Sequence, residues 1–271
     1  MAIKDLVSQG LVLVGCGKMG SALLAGWLAV GIAPQTIWVL EPTPSDWLRA
    51  QTGLRLNAGL PPAPAVCLLA VKPQMMGAAL PVIAALGNGR TVFISIAAGT
   101  RIASFEASLG AATPIVRAMP NTPAAVGRGI TALIGNSHAS PADLALATAL
   151  MEAVGATVAL DHEGQMDAVT AISGSGPAYV FHLIEALAAA GVAEGLPAAM
   201  AMQLARQTVI GAGELAHRSP EAAAQLRINV TSPGGTTAAA LAVLMAAETG
   251  FPALLRRAVR AASDRGRELG A

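Results

Sequence analysis

Residues 11–20, LVLVGCGKMG, decide the fold. The apolar run Leu11–Val14 leads into Gly15, Gly17 and Gly20, and helical spacing follows at once, with Leu23, Leu24, Trp27 and Leu28 recurring through Ser21–Val30. A G-x-G-x-x-G run between a strand and a helix is a dinucleotide-binding turn. Its first glycine permits the tight turn, its second lets the backbone approach a pyrophosphate, and its third lets the helix lie close to the strand. The helix start contributes N–H donors and the positive end of its dipole. A purely structural glycine turn is the alternative, and the strand before and helix after count against it.

Working outward, further apolar runs follow: Ile37–Leu40, Val66–Val71, Val92–Ile96, Ile115–Met119, Ile130–Ile134 and Thr157–Leu160. Turns or helix-like stretches separate them. Near-continuous apolar strands suit a sheet covered on both faces. Their alternation with helices predicts an α/β, Rossmann-like, doubly wound parallel sheet over residues 1–160. Beyond it no comparable strand run occurs. Stretches opening at Pro177, Pro197, Pro220, Pro233 and Pro252 read as helices, since proline suits a first helical turn. Residues 161–271 are therefore expected to form an all-α domain, with Asp161–Gly164 as the linker.

Composition narrows the function. Apolar residues make up 54% and charged residues 12%, so the chain can bury a large core. A net charge of +1 with no basic run gives nucleic acid no foothold. Cys16 and Cys67 make no disulfide framework, and His138, His162, His182 and His217 fall in no metal-ligand spacing, so no metal is expected. The uncharged stretches Leu56–Val71, Pro73–Gly89 and Thr231–Ala247 fall short of the ~20 apolar residues that a membrane span needs. Residues 1–10 lack a signal-peptide core. A cytoplasmic protein with a large subunit interface, and no membrane partner, is expected.

Several residues fall where chemistry is expected. Glu41 ends the second strand, 21 residues after Gly20, where an acid binds the adenosine ribose of NAD and repels a 2′-phosphate. That favours NADH. NADPH stays open, because Thr43 and Ser45 offer hydrogen bonds to a phosphate if Glu41 points away. Lys72 closes a central strand on the ligand side of such a sheet; a surface lysine before a turn is the plainer reading. Ser95–Gly99 (SIAAG) leaves room for a flat ring, and Arg117–Gly127 (RAMPNTPAAVG) makes a stiff loop on the same edge. In Val230–Thr237 (VTSPGGTT), Ser232 is expected to cap a helix with Pro233 in its first turn, leaving unobstructed amides that suit a carboxylate or phosphate. Ile172–Phe181 (ISGSGPAYVF) reads as a bend, and His182 as a packing residue. No lysine follows Lys72, which disfavours a lysine proton donor in the helical part. Hydride delivery to an already protonated C=N bond needs no such donor. A hydroxy-acid dehydrogenase and a non-catalytic nicotinamide-binding scaffold are the rivals.

The runs GCGKMG, AVKPQ (Ala70–Gln74), SIAAG, RAMPNTPAAVGRGIT (Arg117–Thr131), DAVTAISGSGPAYVF (Asp167–Phe181) and NVTSPGGTT (Asn229–Thr237) occur in the order seen in 1-pyrroline-5-carboxylate reductases. The chain resembles that family over nearly its whole length, and the last two runs are specific to it. The resemblance implies an oxidoreductase of proline biosynthesis that reduces pyrroline-5-carboxylate to L-proline with NADPH or NADH. It implies an N-terminal Rossmann domain and a helical dimerisation domain, with interlocked homodimers that often build decamers. Carried over by position, the cofactor contacts fall on Val14, Gly15, Cys16, Gly17, Lys18, Met19, Asn57, Ala70, Val71, Lys72, Pro73, Ile96, Ala97, Ala98 and Asn229. The substrate carboxylate falls on the amides of Gly235, Thr236 and Thr237, with Ser232 beside it. The Thr237 hydroxyl meets the imine nitrogen, and Glu163 matches an acidic position near the substrate. Glu41-Pro42 departs from NADPH-preferring members, which often carry Ser, Thr or Arg there, and Arg128 replaces a residue that is often acidic or small.

Overall fold

The structure is a computed structural model that describes Val7 and residues 9–270. Residues 1–6, which carry part of the expected absence of a signal peptide, lie outside the described residues. Two compact units emerge: the chain up to Gly174 together with the segment from Ser263, and Ser175–Ala262.

The first unit is built on eight strands: β1 (Leu11–Val14), β2 (Ile37–Leu40), β3 (Arg55–Leu56), β4 (Val66–Leu69), β5 (Val92–Ser95), β6 (Ile115–Met119), β7 (Gly129–Gly135) and β8 (Gly155–Ala159). They pair in the order β3-β2-β1-β4-β5-β6-β7-β8. Its helices include α1 (Lys18–Ala29), α2 (Asp46–Arg49), α3 (Met76–Ile83), α4 (Ile102–Leu109), α5 (Pro141–Glu152) and α6 (Met166–Val169). Because side chains alternate along a strand, each strand feeds two cores. Leu11, Leu13, Leu68 and Ile94 join Leu23, Leu24 and Trp27 of α1 and Leu150 of α5. Val12, Val14, Leu69 and Phe93 join Leu80 and Ile83 of α3 and Phe105 of α4. Both faces are covered, which is why the strands read as unbroken apolar runs.

The sheet differs from the expected all-parallel arrangement at one step. β1 to β6 are parallel, but β7 runs antiparallel to β6, and β8 is parallel to β7. The connection from Met119 to Gly129 holds only a 3₁₀ segment, Thr122–Val126. A parallel crossover needs a dozen or more residues, so the chain has to return antiparallel. The two-residue β3 also escaped the sequence reading, being too short for any periodicity.

The boundary expected near residue 160 lies, by compactness, at Gly174. Residues 161–174 are held to the sheet by side-chain bonds: Glu163 to Arg117, and the Ser173 carbonyl to Asn121 Nδ2 at 3.2 Å. A π-helical turn, Thr170–Gly174, ends this segment. An apolar hollow of about 360 Å³ lies here, lined by Ile130, Val158 and Ile172 among others.

The second unit holds α7 (Gly176–Ala193), α8 (Ala198–Arg218), α9 (Ala223–Asn229) and α10 (Thr236–Leu244). It also holds the first part of α11 (Phe251–Leu269), whose end counts with the first unit. The five expected helices are all present. Only Pro177 and Pro252 lie in a first turn, however; Pro197 sits at the N-cap and Pro220 and Pro233 precede their helices. Among the described residues, the buried apolar side chains of this unit are Ala188, Ala201 and Ala205. Phe181, Leu204, Ile210, Leu215, Val243 and Leu254 stand exposed. One helical stretch, Glu163–Ala193, is long and apolar enough to cross a membrane by length and composition, with a mean hydropathy of 1.3. It carries Glu163, Asp167, His182 and Glu185.

Trp27 joins α1 to α5. Its Nε1–H donates to the Leu150 carbonyl at 2.9 Å, satisfying one of the carbonyls that a helix end leaves unpaired. Trp27→Phe removes the donor and leaves a small void. It is expected to cost about 1–3 kcal/mol, read as a lowered urea midpoint at unchanged slope.

Candidate functional site

Parallel pairing brings the C-terminal ends of β1, β2, β4, β5 and β6 to one edge of the sheet. The strand order reverses between β1 and β4, and a crevice for ligands opens at such a point. The glycine loop, Glu41, Ala70–Pro73, Ile96–Ala98 and Asn121 all follow these strand ends. The three glycines divide their work. Gly15 adopts φ +89°, which L side chains rarely take. A Cβ on Gly20 would stand 2.5 Å from the Gly15 carbonyl oxygen, so only glycine lets α1 lie this close. A Cβ on Gly17 would meet nothing within 4 Å, so this position faces open space. Lys18 and Met19 open α1.

Glu41 does not point away from this loop. Its Oε2 accepts the Cys16 N–H at 2.7 Å and its Oε1 accepts the Thr43 N–H at 3.0 Å. The other side of the Cys16 peptide is held as well, because Ser21 Oγ donates to the Cys16 carbonyl at 3.0 Å. Burial raises the Cys16 thiol pKa above its ordinary value; the Ser21 contact opposes the rise and the Glu41 carboxylate adds to it. Ser45, considered above as a phosphate ligand, accepts the Leu48 N–H at 3.2 Å and caps α2.

Asn57 holds Glu41 in place. In the left-handed region at φ +50°, it accepts the Glu41 N–H on Oδ1 and donates from Nδ2 to the Glu41 carbonyl, both at 2.9 Å. Its side chain thus replaces a strand partner for Glu41. Lys72 is exposed, and its carbonyl accepts the Met75 N–H at 2.9 Å as the chain turns after β4. At the end of β5, the Ala97 N–H donates to Ser95 Oγ at 3.2 Å. The stiff loop after β6 is pinned by Asn121, which is buried and accepts the Ile130 N–H at 3.0 Å while holding the Ser173 carbonyl.

Asn229, Ser232, Gly235, Thr236 and Thr237 belong to the second unit. Asn229 ends α9. Its Oδ1 accepts from Gln225 at 2.8 Å and its Nδ2 donates to Glu221 at 3.1 Å. Residues 232–235 form a turn closed by Gly235 N–H to the Ser232 carbonyl at 3.0 Å, with Pro233 second and Gly234 at φ +70° third, the pattern of a type II turn. Two expectations change in consequence. Gly235, not Ser232, is the N-cap of α10, and its own amide is spent inside the turn. The first intrahelical bond here is Ala239 N–H to the Gly235 carbonyl at 3.2 Å, which leaves the amides of Thr236, Thr237 and Ala238 ahead of the ladder.

Glu163 lies in the first unit. Its Oε1 accepts both Arg117 Nη1 at 2.5 Å and the Ile102 N–H at 2.8 Å. No spacing rule joins residues 46 and 61 positions apart, so the sequence gives no warning of this pairing. His182, expected to pack, is exposed and meets Glu185 at 3.1 Å. Among the described residues no three His, Cys, Asp or Glu side chains come together to hold a metal.

The family model described as pyrroline-5-carboxylate reductase dimerisation matches residues 163–269, and one described as NADP oxidoreductase coenzyme F420-dependent matches residues 10–99. The pyrroline-5-carboxylate reductase of Synechocystis sp. is 45% identical over 270 residues, covering 97% of this chain and 99% of that protein. The solved pyrroline-5-carboxylate reductase of Coxiella burnetii superimposes with a TM-score of 0.90 at 34% identity, covering 97% and 98% of the two chains. The pyrroline carboxylate reductase of Plasmodium falciparum, solved with NADP bound, gives 0.81 at 32% identity with the same coverage. Full-length identity at this level, on a Rossmann-like sheet followed by a helical dimerisation segment, makes the chain a member of the pyrroline-5-carboxylate reductase family.

Proposed function

We infer that this reductase converts 1-pyrroline-5-carboxylate to L-proline by orienting two reactants rather than by supplying a proton. The observation that carries this reading is the start of α10, where three amides precede the helical ladder and two threonines, Thr236 and Thr237, open the helix. Such a helix start suits the substrate carboxylate. The amides of Thr236 and Thr237 grip it, with Ser232 alongside, and the Thr237 hydroxyl holds the imine nitrogen. A reduced nicotinamide cofactor, when bound, supplies the hydride. The iminium carbon accepts it, its π electrons return to nitrogen, and no proton has to be delivered to carbon. Orientation of this kind lowers a barrier by converting an encounter into a fixed geometry.

The division of labour follows the chain. Residues 1–160 hold the cofactor along the strand ends, with the glycine loop on the pyrophosphate, Glu41 and Asn57 at the adenosine ribose, Ala70–Pro73 alongside, and Ile96–Ala98 beneath the nicotinamide. The helical unit, Ser175–Ala262, holds the substrate and the second subunit. Glu41 favours NADH, because its carboxylate faces the glycine loop through the Cys16 amide and repels a 2′-phosphate. The exposed apolar faces of α7 to α11, and of the Glu163–Ala193 stretch, are covered by a second copy instead of lipid. Interlocked pairs assemble further, into the decamer that the resemblance implies, in the cytoplasm.

NADH oxidation that depends on added pyrroline-5-carboxylate, followed by absorbance, tests the reading; cofactor binding without turnover would favour the scaffold rival. In the same assay Thr237→Ala should lower kcat by roughly ten- to a hundredfold, corresponding to one site hydrogen bond of ~1.5–3 kcal/mol. Unchanged turnover removes Thr237 from the mechanism. Glu41→Ser should raise the NADPH-to-NADH ratio of kcat/KM by about tenfold, ~1.4 kcal/mol of discrimination. A ratio that does not move refutes the ribose role.

A further inference from the structure

Arg117 is the one charged side chain counted among the buried residues described, with 5% of its surface exposed. It rises from β6 and places Nη1 2.5 Å from Glu163 Oε1. The same oxygen takes the Ile102 N–H at 2.8 Å. Ile102 is the first residue of α4, and the segment that leads into it from β5 is Ile96–Arg101. Glu163 therefore closes one end of the loop that is read above as the seat of the nicotinamide. Two other contacts hold that loop. Ser95 Oγ takes the Ala97 amide at its start, and Gly99, at φ +77°, lies against the chain's last turn, where a Cβ would come within 3.4 Å of the Leu269 carbonyl.

We propose that Glu163 and Arg117 are positioning residues for the cofactor: the buried guanidinium fixes the carboxylate, and the carboxylate fixes the α4 end of the nicotinamide loop. This differs from the substrate contact that the resemblance implies for Glu163. The carboxylate oxygen that the structure shows engaged is spent on the sheet and on the Ile102 amide. The proposal rests on the reading of Ile96–Ala98 as the nicotinamide seat, and it acts on cofactor affinity and alignment before any substrate arrives. Charge is the smaller part of the device. What the Ile102 amide needs is an acceptor at one point, and a glutamine carbonyl offers it.

The test uses the full-length protein and separates cofactor from substrate. NADH and NADPH dissociation constants come from cofactor fluorescence without substrate, kinetic constants from the absorbance assay, and Tm from a thermal melt. Glu163→Ala is expected to weaken cofactor binding about tenfold and lower kcat by a similar factor. KM for pyrroline-5-carboxylate should stay within about twofold. Glu163→Gln should recover cofactor binding to within about threefold of the parent. Glu163→Ala leaves a buried guanidinium unpaired, so loss of folding has to be separated from loss of alignment. The double variant Arg117→Met/Glu163→Ala does this: Tm should recover while cofactor binding stays weak. The proposal is overturned if KM for pyrroline-5-carboxylate rises while cofactor binding holds, since Glu163 then serves the substrate. It is equally overturned if the double variant restores cofactor binding together with Tm. A parent protein that binds NADH without turnover would refute the reductase reading, yet the binding measurements would still decide the role of Glu163.

Discussion

Helix α1 starts where it does because position 20 carries no side chain. The Gly15 carbonyl occupies the space a Cβ would need, at 2.5 Å, so any larger residue pushes the helix off the turn after β1. Much of the cofactor edge follows from that close approach. It aims the first amides of α1 across the strand ends and leaves Gly17 facing open space. It also brings the Cys16 peptide to where Glu41, just past the end of β2, reaches its N–H. Ser21, one turn into the helix, is then placed to bond the Cys16 carbonyl. A two-sided hold on a single peptide is a device for preorganisation: the loop need not be ordered by the ligand, so less binding energy goes into ordering it.

The same economy recurs along the edge. Asn57 holds the backbone of Glu41 on both its N–H and its carbonyl, Ser95 holds the Ala97 amide, and Asn121 ties the loop after β6 to Ser173. Each is a short polar side chain standing in for a strand partner that the sheet cannot provide beyond its last residue. Backbone groups that run out of ladder need partners, and side chains of this length reach them without adding bulk at a ligand crevice.

Which of these features the sequence announces depends on how local they are. The glycine loop and strands such as Leu11–Val14 and Val92–Ser95 are legible because burial on both faces writes unbroken apolar runs. The helices of the second unit are legible from their length and from the prolines near their starts. The direction of β7 is not legible from periodicity, although the short connection from Met119 to Gly129 already forbids a crossover. Serine and proline in sequence fit a helix start at Ser232; the Pro233-Gly234 pair fits a type II turn as well, the turn is formed, and the cap of α10 moves to Gly235. The role of Asn57 and the Arg117–Glu163 contact are illegible for a different reason. They join residues far apart in sequence through one or two side-chain hydrogen bonds, and no periodicity or spacing encodes such a meeting.

The two units also differ in what holds them. The sheet unit buries Trp27, Phe93 and Phe105 almost fully, and both of its faces are covered by its own helices. In the helical unit the buried apolar side chains described are three alanines, while phenylalanine, leucine and isoleucine side chains stand in the open. A surface that apolar is not left to water in a folded protein. These side chains stand in the segment matched as pyrroline-5-carboxylate reductase dimerisation, residues 163–269, and that segment implies a homo-oligomer. Small residues on α7 and α8 serve the same end: a Cβ on Gly191 would lie 3.2 Å from that of Ala201, so the two helices run close together and turn their larger side chains outward. A unit with so small an apolar core of its own draws stability from association, and that share depends on protomer concentration.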